Sequence, residues 1–203
     1  MRDFGLVVIG AHFGVWLKDE IEKFKDQNIL LVEPVPYNYE ILKENFQNKK
    51  NFFICTNAVF SENKTKKFFF VKKESISKLG KHWASGIGSF SKEHLLNHKS
   101  KRFNIQDEDI ENFEVDFITF ETLIENYQIK SIKKLQIDVE GAEFEILKSI
   151  DFKKININQI QFEFKHFDGT FLEGPKLKII KEKLVKNGFQ LTQIDKENIL
   201  AEK

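Results

Sequence analysis

Leu6, Val7, Val8 and Ile9 form a continuous apolar run of the kind that marks a strand covered on both faces, and the loop GAHFG follows it at once. Beyond the loop, Leu17, Ile21 and Phe24 recur at helical spacing within VWLKDEIEKFKDQ. Asn28 stops that helix, and a second apolar run from Ile29 to Val32 ends at Glu33 and Pro34. These segments predict one βαβ unit. A helix over Tyr37 to Gln47, with Ile41, Leu42, Asn45 and Phe46 on or near one face, and a third strand in NFFICTNAVF continue the alternation. The pattern predicts an α/β fold with a doubly wound, mostly parallel sheet and right-handed crossovers.

From Ser61 to about Asn112 the alternation breaks. KKFFFVKK suits a short strand whose Phe68, Phe69 and Phe70 belong to the sheet core, whereas WASGIGSF mixes glycine, serine and aromatic residues, and the stretch through DEDIENFE is polar and charged. Residues 61–112 therefore read as an insertion between strands three and four of a single domain, 1–203. Alternation returns with a strand and helix in FITFETLIENYQI, a fourth strand in KKLQIDVEG, a helix in EFEILKSI and a fifth strand in NQIQFEF. Strands four and five alternate apolar and polar residues, which fits polar ends facing a cleft better than full coverage. Pro175 opens the last helix, with Leu177, Ile180, Leu184 and Val185 as its apolar face and Gly188 as its C-cap. QLTQI and NILAEK flank the turn DKEN and predict a terminal hairpin, one strand of which runs against the rest.

Composition narrows the setting. With 203 residues, 41% hydrophobic and 31% charged, the chain can bury about 70% of its unfolded surface and is neither disordered nor of low complexity. Thirty-two Lys and Arg balance 31 Asp and Glu, which gives no global attraction to nucleic acid or to an anionic membrane. The lysines at 64, 66, 67, 72, 73, 99 and 101 with Arg102 read as solvated faces. Cys55, the single cysteine, precludes an intrachain disulfide and a thiolate zinc site, so the default is a reducing, cytoplasmic setting. The N-terminal apolar run is too short for a signal peptide, and no run long enough to span a bilayer exists.

Candidate chemistry gathers at strand ends. Gly10 and Gly14 lie between a buried strand and a helix, where backbone can approach a ligand and helix amides favour an anion. Glu33 ends strand two, nineteen positions after Gly14, close to the spacing at which an acid meets ribose hydroxyls in doubly wound folds. A tight turn is the plainer account of the two glycines, and the three-glycine dinucleotide pattern is absent. Asp138, Glu140 and Glu143 follow strand four, and Glu163, Lys165 and His166 end strand five, so acids and a histidine could converge in the crevice beyond the sheet. A simpler account makes Asp138 or Glu140 a helix cap and His166 a surface residue.

LVVIGAHFG, LLVEPVPYNYEILKENF, TNAVFSEN, FITFETLIENY and LQIDVEGAEFEILKSI, in this order and spacing, resemble the FkbM-type family of S-adenosylmethionine-dependent methyltransferases from about Val7 to Glu163. The IDVEGAE string is the most specific part. The resemblance implies a seven-stranded class I methyltransferase sheet and methyl transfer to a hydroxyl of a sugar, polyketide or other small metabolite. It implies that Gly10, Ala11 and Gly14 pass under the methionine part of the cofactor and that Glu33 holds the ribose diol. Asn57 and Ala58 would lie along the adenine, Asp138 near the methionine amino group and the acceptor, and Glu140 beside the acceptor.

The family usually has an acid two positions before its first loop glycine; this chain has Val8 there, and His12 where Asn is common, a departure that bears on cofactor affinity. Asp138, Glu163 and His166 are the base candidates. A divalent cation on Asp138 and Glu163 is an alternative that is not favoured. Trp83, Ser85 and Ser89 in the insertion, with Phe90, suit a lid over a polar acceptor. The chain starts almost at strand one, which leaves the covering of the cleft to 61–112 or to a partner subunit in a homo-oligomer. The rivals are an NAD-dependent oxidoreductase or epimerase on the same topology, which the strand-four motif disfavours, and a non-catalytic homologue with a decayed cofactor site.

Overall fold

The computed structural model describes residues 1–46, 49–80, 82–97, 99–100, 103–169 and 172–203. In chain order its elements are β1 (Arg2–Ile9), α1 (Lys18–Lys23), β2 (Asn28–Val32), α2 (Pro36–Phe46), β3 (Phe52–Cys55), β4 (Ala58–Phe60), β5 (Lys64–Val71), α3 (Lys73–Leu79), β6 (Gly88–Ser89), α4 (Lys92–Asn97), β7 (Lys99–Ser100), β8 (Phe103–Asn104), β9 (Ile110–Thr119), α5 (Phe120–Asn126), β10 (Ile129–Ile137), α6 (Glu143–Ser149), β11 (Asn156–Glu163), α7 (Pro175–Lys186), β12 (Gln190–Gln193) and β13 (Asn198–Glu202). Turns of 3₁₀ helix lie at Val15–Leu17, before α1, and at His82–Gly86, before β6.

The main sheet has seven strands in the order β12-β13-β11-β10-β1-β2-β3. The pairs β1–β10, β1–β2, β10–β11 and β2–β3 are parallel, while β13 pairs antiparallel with both β11 and β12. This is the seven-stranded sheet that the family resemblance implies, with the one reversed strand that the terminal hairpin predicts. The apolar runs behave as expected: Leu6, Val7, Val8 and Ile9 are at most 1% exposed, as are Ile29 to Val32. The strand order reverses between β1 and β10, and a doubly wound sheet opens a crevice at such a point, beyond the carboxyl ends of its strands.

The main core lies on the α5, α6 and α7 side, with Phe4, Leu30, Leu123, Ile132, Leu147, Phe162 and Ile180 among its members. On the other face Leu6, Val8, Ala11, Leu17, Ile21, Leu31 and Leu42 pack under α1 and α2. Helix α1 has only six residues, shorter than the apolar spacing predicts. Polar positions of β10 lie on this thinly covered side, and Lys134, only 8% exposed, meets Glu20 of α1 at 3.1 Å. That ion pair accounts for part of the alternation in strand four. In α7 the buried positions are Leu177, Ile180 and Leu184, whereas Val185 is exposed.

Two expectations need correction. NFFICTNAVF is two strands, because β3 ends at Cys55 and β4 leaves for a second sheet, order β4-β9-β5-β6. The segment 61–112 is also less irregular than its composition suggests. Strand β5 runs eight residues antiparallel to β9, and β9 starts at Ile110 inside the supposed loop. In β9, Ile110, Val115 and Phe117 are buried while Glu111, Glu114 and Asp116 are exposed, a half-covered strand whose acidic outer face masked it. Phe68 and Phe70 are buried against Phe117 and Val115, in line with a core role.

Candidate active site

Where β1 ends, the ladder continues into the loop: the amides of Gly10 and Ala11 donate to the Val32 carbonyl at 3.0 and 2.9 Å, and the Asp138 amide donates to the Ile9 carbonyl at 2.9 Å. The first loop is therefore sewn to the ends of β2 and β10. Gly10, at φ 90°, is required by contact as well as by conformation, since a Cβ there would stand 1.7 Å from the Asp138 carbonyl oxygen. Gly14, at φ 79°, faces Leu42 and Phe46 of α2 at about 3 Å from such an atom. Val8 is fully buried in the apolar layer under α1, so the position where the family commonly carries an acid is here a packing position.

Glu33 is 5% exposed and takes over the holding of the loop. Its Oε2 accepts from the His12 amide at 2.8 Å and its Oε1 from the Val35 amide at 2.9 Å. Burial pushes this carboxyl up to about 7, against the lowering effect of those two amides. His12 has φ 52°, and its Nε2 lies 2.6 Å from the Ser85 hydroxyl. The Ser85 carbonyl in turn accepts from Asn38 Nδ2 at 2.8 Å. The 3₁₀ turn of the second-sheet region is thus fastened to the first loop and to α2.

A cleft of about 600 Å³ opens at this junction, lined by Gly10, His12, Glu33, Pro34, Val35, Ala58, Phe68, Gly86, Gly88, Ser89, Phe90, Phe117, Asp138 and Val139, among others. Its walls are mostly apolar with a few polar groups, the character of a small-molecule site. Phe90 is 42% exposed at the cleft, its ring 5.0 Å from that of Phe60.

Beyond Asp138 the chain turns sharply, with Glu140 at φ 54° and Gly141 at φ 107°. Glu143, 1% exposed, pins that turn by accepting from the Val139 amide at 2.8 Å and the Gly141 amide at 3.0 Å. Burial pushes the Glu143 carboxyl up to about 7 in spite of the Val139 amide. Ligand oxygens of Asp138, Glu143 and Glu163 lie within 4.8 Å of one another. Asp138 is open to the cleft by accessible area and walled by protein elsewhere; crowding first, and the charge of Glu140 next, push its carboxyl up to about 6. Glu163, nearly buried, is driven well above the ordinary carboxylate range by burial and then by Asp138, with Lys165 Nζ 3.7 Å away acting against it. His166 stands with Glu140 and His94 in a separate group.

Of the residues expected at the site, Gly10, Glu33, Ala58, Ser89 and Asp138 line the cleft. Ala11 and Gly14 shape the loop behind it. Asn57 turns toward the second sheet, its Nδ2 donating to the Asp116 carbonyl at 3.2 Å. Ser85 is 4% exposed and engaged with His12 rather than placed on the cleft wall. The side chain of Trp83 lies outside the described residues, as do Lys101 and Arg102. Asp138 and Glu163 come together, and Glu140 lies outside the cleft wall, toward His166. The cap expected of Asp138 or Glu140 on α6 is absent; Ala142 is the N-cap and Glu143 reaches back instead. Glu143 was legible as the last residue of IDVEGAE, an acid in the first helical turn, whereas His94 carries no local signal at all.

No described helix is long and apolar enough to cross a membrane. No curated protein sequence matches the chain. Among solved structures, it is similar to the fibrillarin pre-rRNA processing protein of Methanococcus jannaschii at 12% identity and a TM-score of 0.47, over 99% of this chain and 66% of that one. The chain thus spans just under two thirds of that protein's length. It is also similar to a precorrin-6y C5,15-methyltransferase of Geobacter metallireducens, at 11% identity and a TM-score of 0.47, over 100% of this chain and 82% of that one. At such identity and overlap neither bears on substrate. The model of the methyltransferase FkbM domain matches residues 9–191, from the last residue of β1 into β12. The chain belongs to the FkbM-type family of S-adenosylmethionine-dependent methyltransferases.

Proposed function

We propose that this protein transfers a methyl group from S-adenosylmethionine to a hydroxyl of a small metabolite or sugar. The observation that carries the acceptor chemistry is the pairing of Asp138 and Glu163 beside the cleft, two carboxyls whose surroundings raise their proton affinity toward neutrality. A carboxylate tuned in this way is suited to take the proton of a neutral hydroxyl as it reacts.

The residues present fit the cofactor. Glu33 lines the cleft, and its oxygens retain acceptor capacity beyond the two backbone amides, as a ribose diol requires. At Gly10 the missing side chain keeps the floor of the cleft at backbone level, next to Asp138. Ala58, Phe68 and Phe117 supply apolar wall for a flat base, while Ser89 and Phe90 face the cleft from the second sheet and suit the acceptor side. When bound, the cofactor supplies an electrophilic sulfonium methyl. The work of the chain is then to align the two reactants, exclude water and hold the departing proton at the Asp138 and Glu163 carboxyls.

The test is thermal unfolding with S-adenosylhomocysteine and, separately, with NAD. Ligand at a hundredfold excess over its Kd adds about 2.7 kcal/mol, or roughly 5–11 °C in Tm for a chain of this size. The expected result is a saturable shift with S-adenosylhomocysteine alone, strongly weakened in Glu33→Ala and Asp138→Ala. No shift in a cooperatively melting protein would point to a decayed cofactor site, and a shift with NAD alone would mean that the fold serves a different chemistry.

A further inference from the structure

We propose that His94, Glu140 and His166 form a binding site for a divalent transition-metal ion of the zinc or cobalt type, outside the cleft wall and next to the turn that follows Asp138. The three residues come from three segments: His94 from α4 in the second-sheet region, Glu140 from the turn after β10, and His166 from the turn after β11. One ligand atom from each lies within 4.8 Å of the other two. His166 Nε2 and His94 Nε2 both approach the same oxygen of Glu140, at 3.5 and 3.8 Å.

Those separations exceed the 2.7–2.9 Å typical of a charge-assisted hydrogen bond. They are close to the spacing of two donors on a shared ion, since ligands about 2.0–2.1 Å from a tetrahedral centre lie roughly 3.3–3.4 Å from each other. The two imidazoles meet edge to face at 79° with centroids 5.2 Å apart, which lets both nitrogens converge without ring overlap. All three side chains are partly buried, at 22%, 24% and 15% exposure, so the site is neither sealed from ions nor a loose surface cluster.

The backbone adds an independent argument. Glu140 is one of three non-glycine residues at positive φ among the described residues, and it is followed by Gly141, also at positive φ. Strain of this kind persists where the surroundings impose it, and it concentrates at functional sites. Here the buried Glu143 imposes it through the Val139 and Gly141 amides, and the result is to present Glu140 to the two histidines. Gly141 lies against His94, whose Cε1 would be in ordinary van der Waals contact, at 3.5 Å, with a Cβ at that position.

Two imidazoles and one carboxylate select zinc, cobalt, manganese or ferrous ion over magnesium or calcium, which favour all-oxygen sites. Three protein ligands leave a position for water or for an acceptor oxygen. The ion would also tie α4 to the two turns that follow β10 and β11.

The test needs no methyl acceptor and no cofactor. Tag-free protein is stripped with a chelator and titrated near neutral pH with Co²⁺, Zn²⁺ and Mg²⁺, with stoichiometry read by elemental analysis and Co²⁺ coordination by its visible spectrum. The expected result is about one equivalent of Co²⁺ or Zn²⁺ per chain, little Mg²⁺, and affinity at least roughly 100-fold weaker in His94→Ala and in His166→Ala, beyond what outer-shell partners alone contribute. Any variant that fails to melt cooperatively is replaced by His94→Gln or His166→Gln. Three results each overturn the proposal: no bound ion, in which case the cluster is an ion-pair network only; binding that is unchanged in both histidine variants; or binding that survives them and is lost in Glu163→Gln, which places the ion on the carboxylates. Because S-adenosylhomocysteine binding is measured separately, failure here leaves the methyltransferase reading to stand or fall on its own.

Discussion

A methyl group added at residue 10 would meet the Asp138 carbonyl oxygen at 1.7 Å, and at residue 80 it would meet nothing within 4 Å, although both glycines sit at positive φ. The pair separates two costs that are usually confounded. Gly80→Ala carries only the conformational term and is expected to lose about 1 kcal/mol. Gly10→Ala must also push apart β1 and β10 at the cleft, so the expected loss is on the order of 3–5 kcal/mol, together with loss of cofactor binding. Urea unfolding of the two variants checks this, and equal losses would contradict the close approach. Gly10 was legible in the sequence as a loop glycine, but the reason for it was not, since its neighbour Asp138 is 128 positions away. The roles of Val8 and Glu33 likewise became clear only in three dimensions. Val8 packs under α1, and Glu33 holds the loop through the His12 amide, in addition to any ribose contact.

Among the elements, the 3₁₀ turn at His82–Gly86 has the most to gain or lose from a single bond. Its Ser85 is fastened through the hydroxyl to His12 and through the carbonyl to Asn38. Ser85→Ala removes the first of these ties and should lower global stability by only about 1 kcal/mol. Amide exchange of residues 84–90 should nevertheless speed up markedly, with cofactor affinity several-fold weaker, because the loosened turn forms one wall of the cleft. Unchanged exchange there would mean that the second sheet alone holds the turn. The elements themselves were legible in proportion to how local their signals are. The buried strands of the main sheet announce themselves as apolar runs, and α7 by its Pro175, its spacing and Gly188. Strand β9 carried a usable alternation that its glutamates obscured, whereas the break between β3 and β4 follows from a change of partner, which composition does not encode. The contact between His12 and Ser85 spans 73 positions and chooses one hydroxyl among several.

For the molecule as a whole, the buried acids set a dependence on pH. Glu33 and Glu143 each have an ordinary value of 4.5 and are raised to about 7 in the folded state, with burial the leading cause. A carboxyl raised by folding binds more protons in the native state than in the unfolded one between those two values. Its contribution to stability is complete below about 4.5 and is lost as pH rises through about 7. The expected outcome is a Tm that declines over that window. Glu143→Gln, which cannot ionise, should flatten part of the decline while lowering Tm overall, since an amide replaces only one of the two acceptors in the turn. A slope unchanged by this substitution would mean that Glu143 does not stay protonated in the folded protein. The near balance of 32 basic and 31 acidic residues keeps long-range charge from masking the effect.

The second sheet draws β4 from one flank of the 61–112 segment and most of β9 from the other, with Ala58 paired to Phe117 and Phe60 to Thr119. On the proposed function, in which this sheet faces the acceptor, the unit that carries acceptor preference has its natural seams at 56–57 and just after Thr119. A chimera that exchanges only 61–112 with a relative would cut β9 within its first three residues and set a foreign β5 against the native remainder of β9. Transplanting 58–119 entire keeps every strand of that sheet with its own neighbours, and makes it the sensible cassette for moving substrate choice between members of the family.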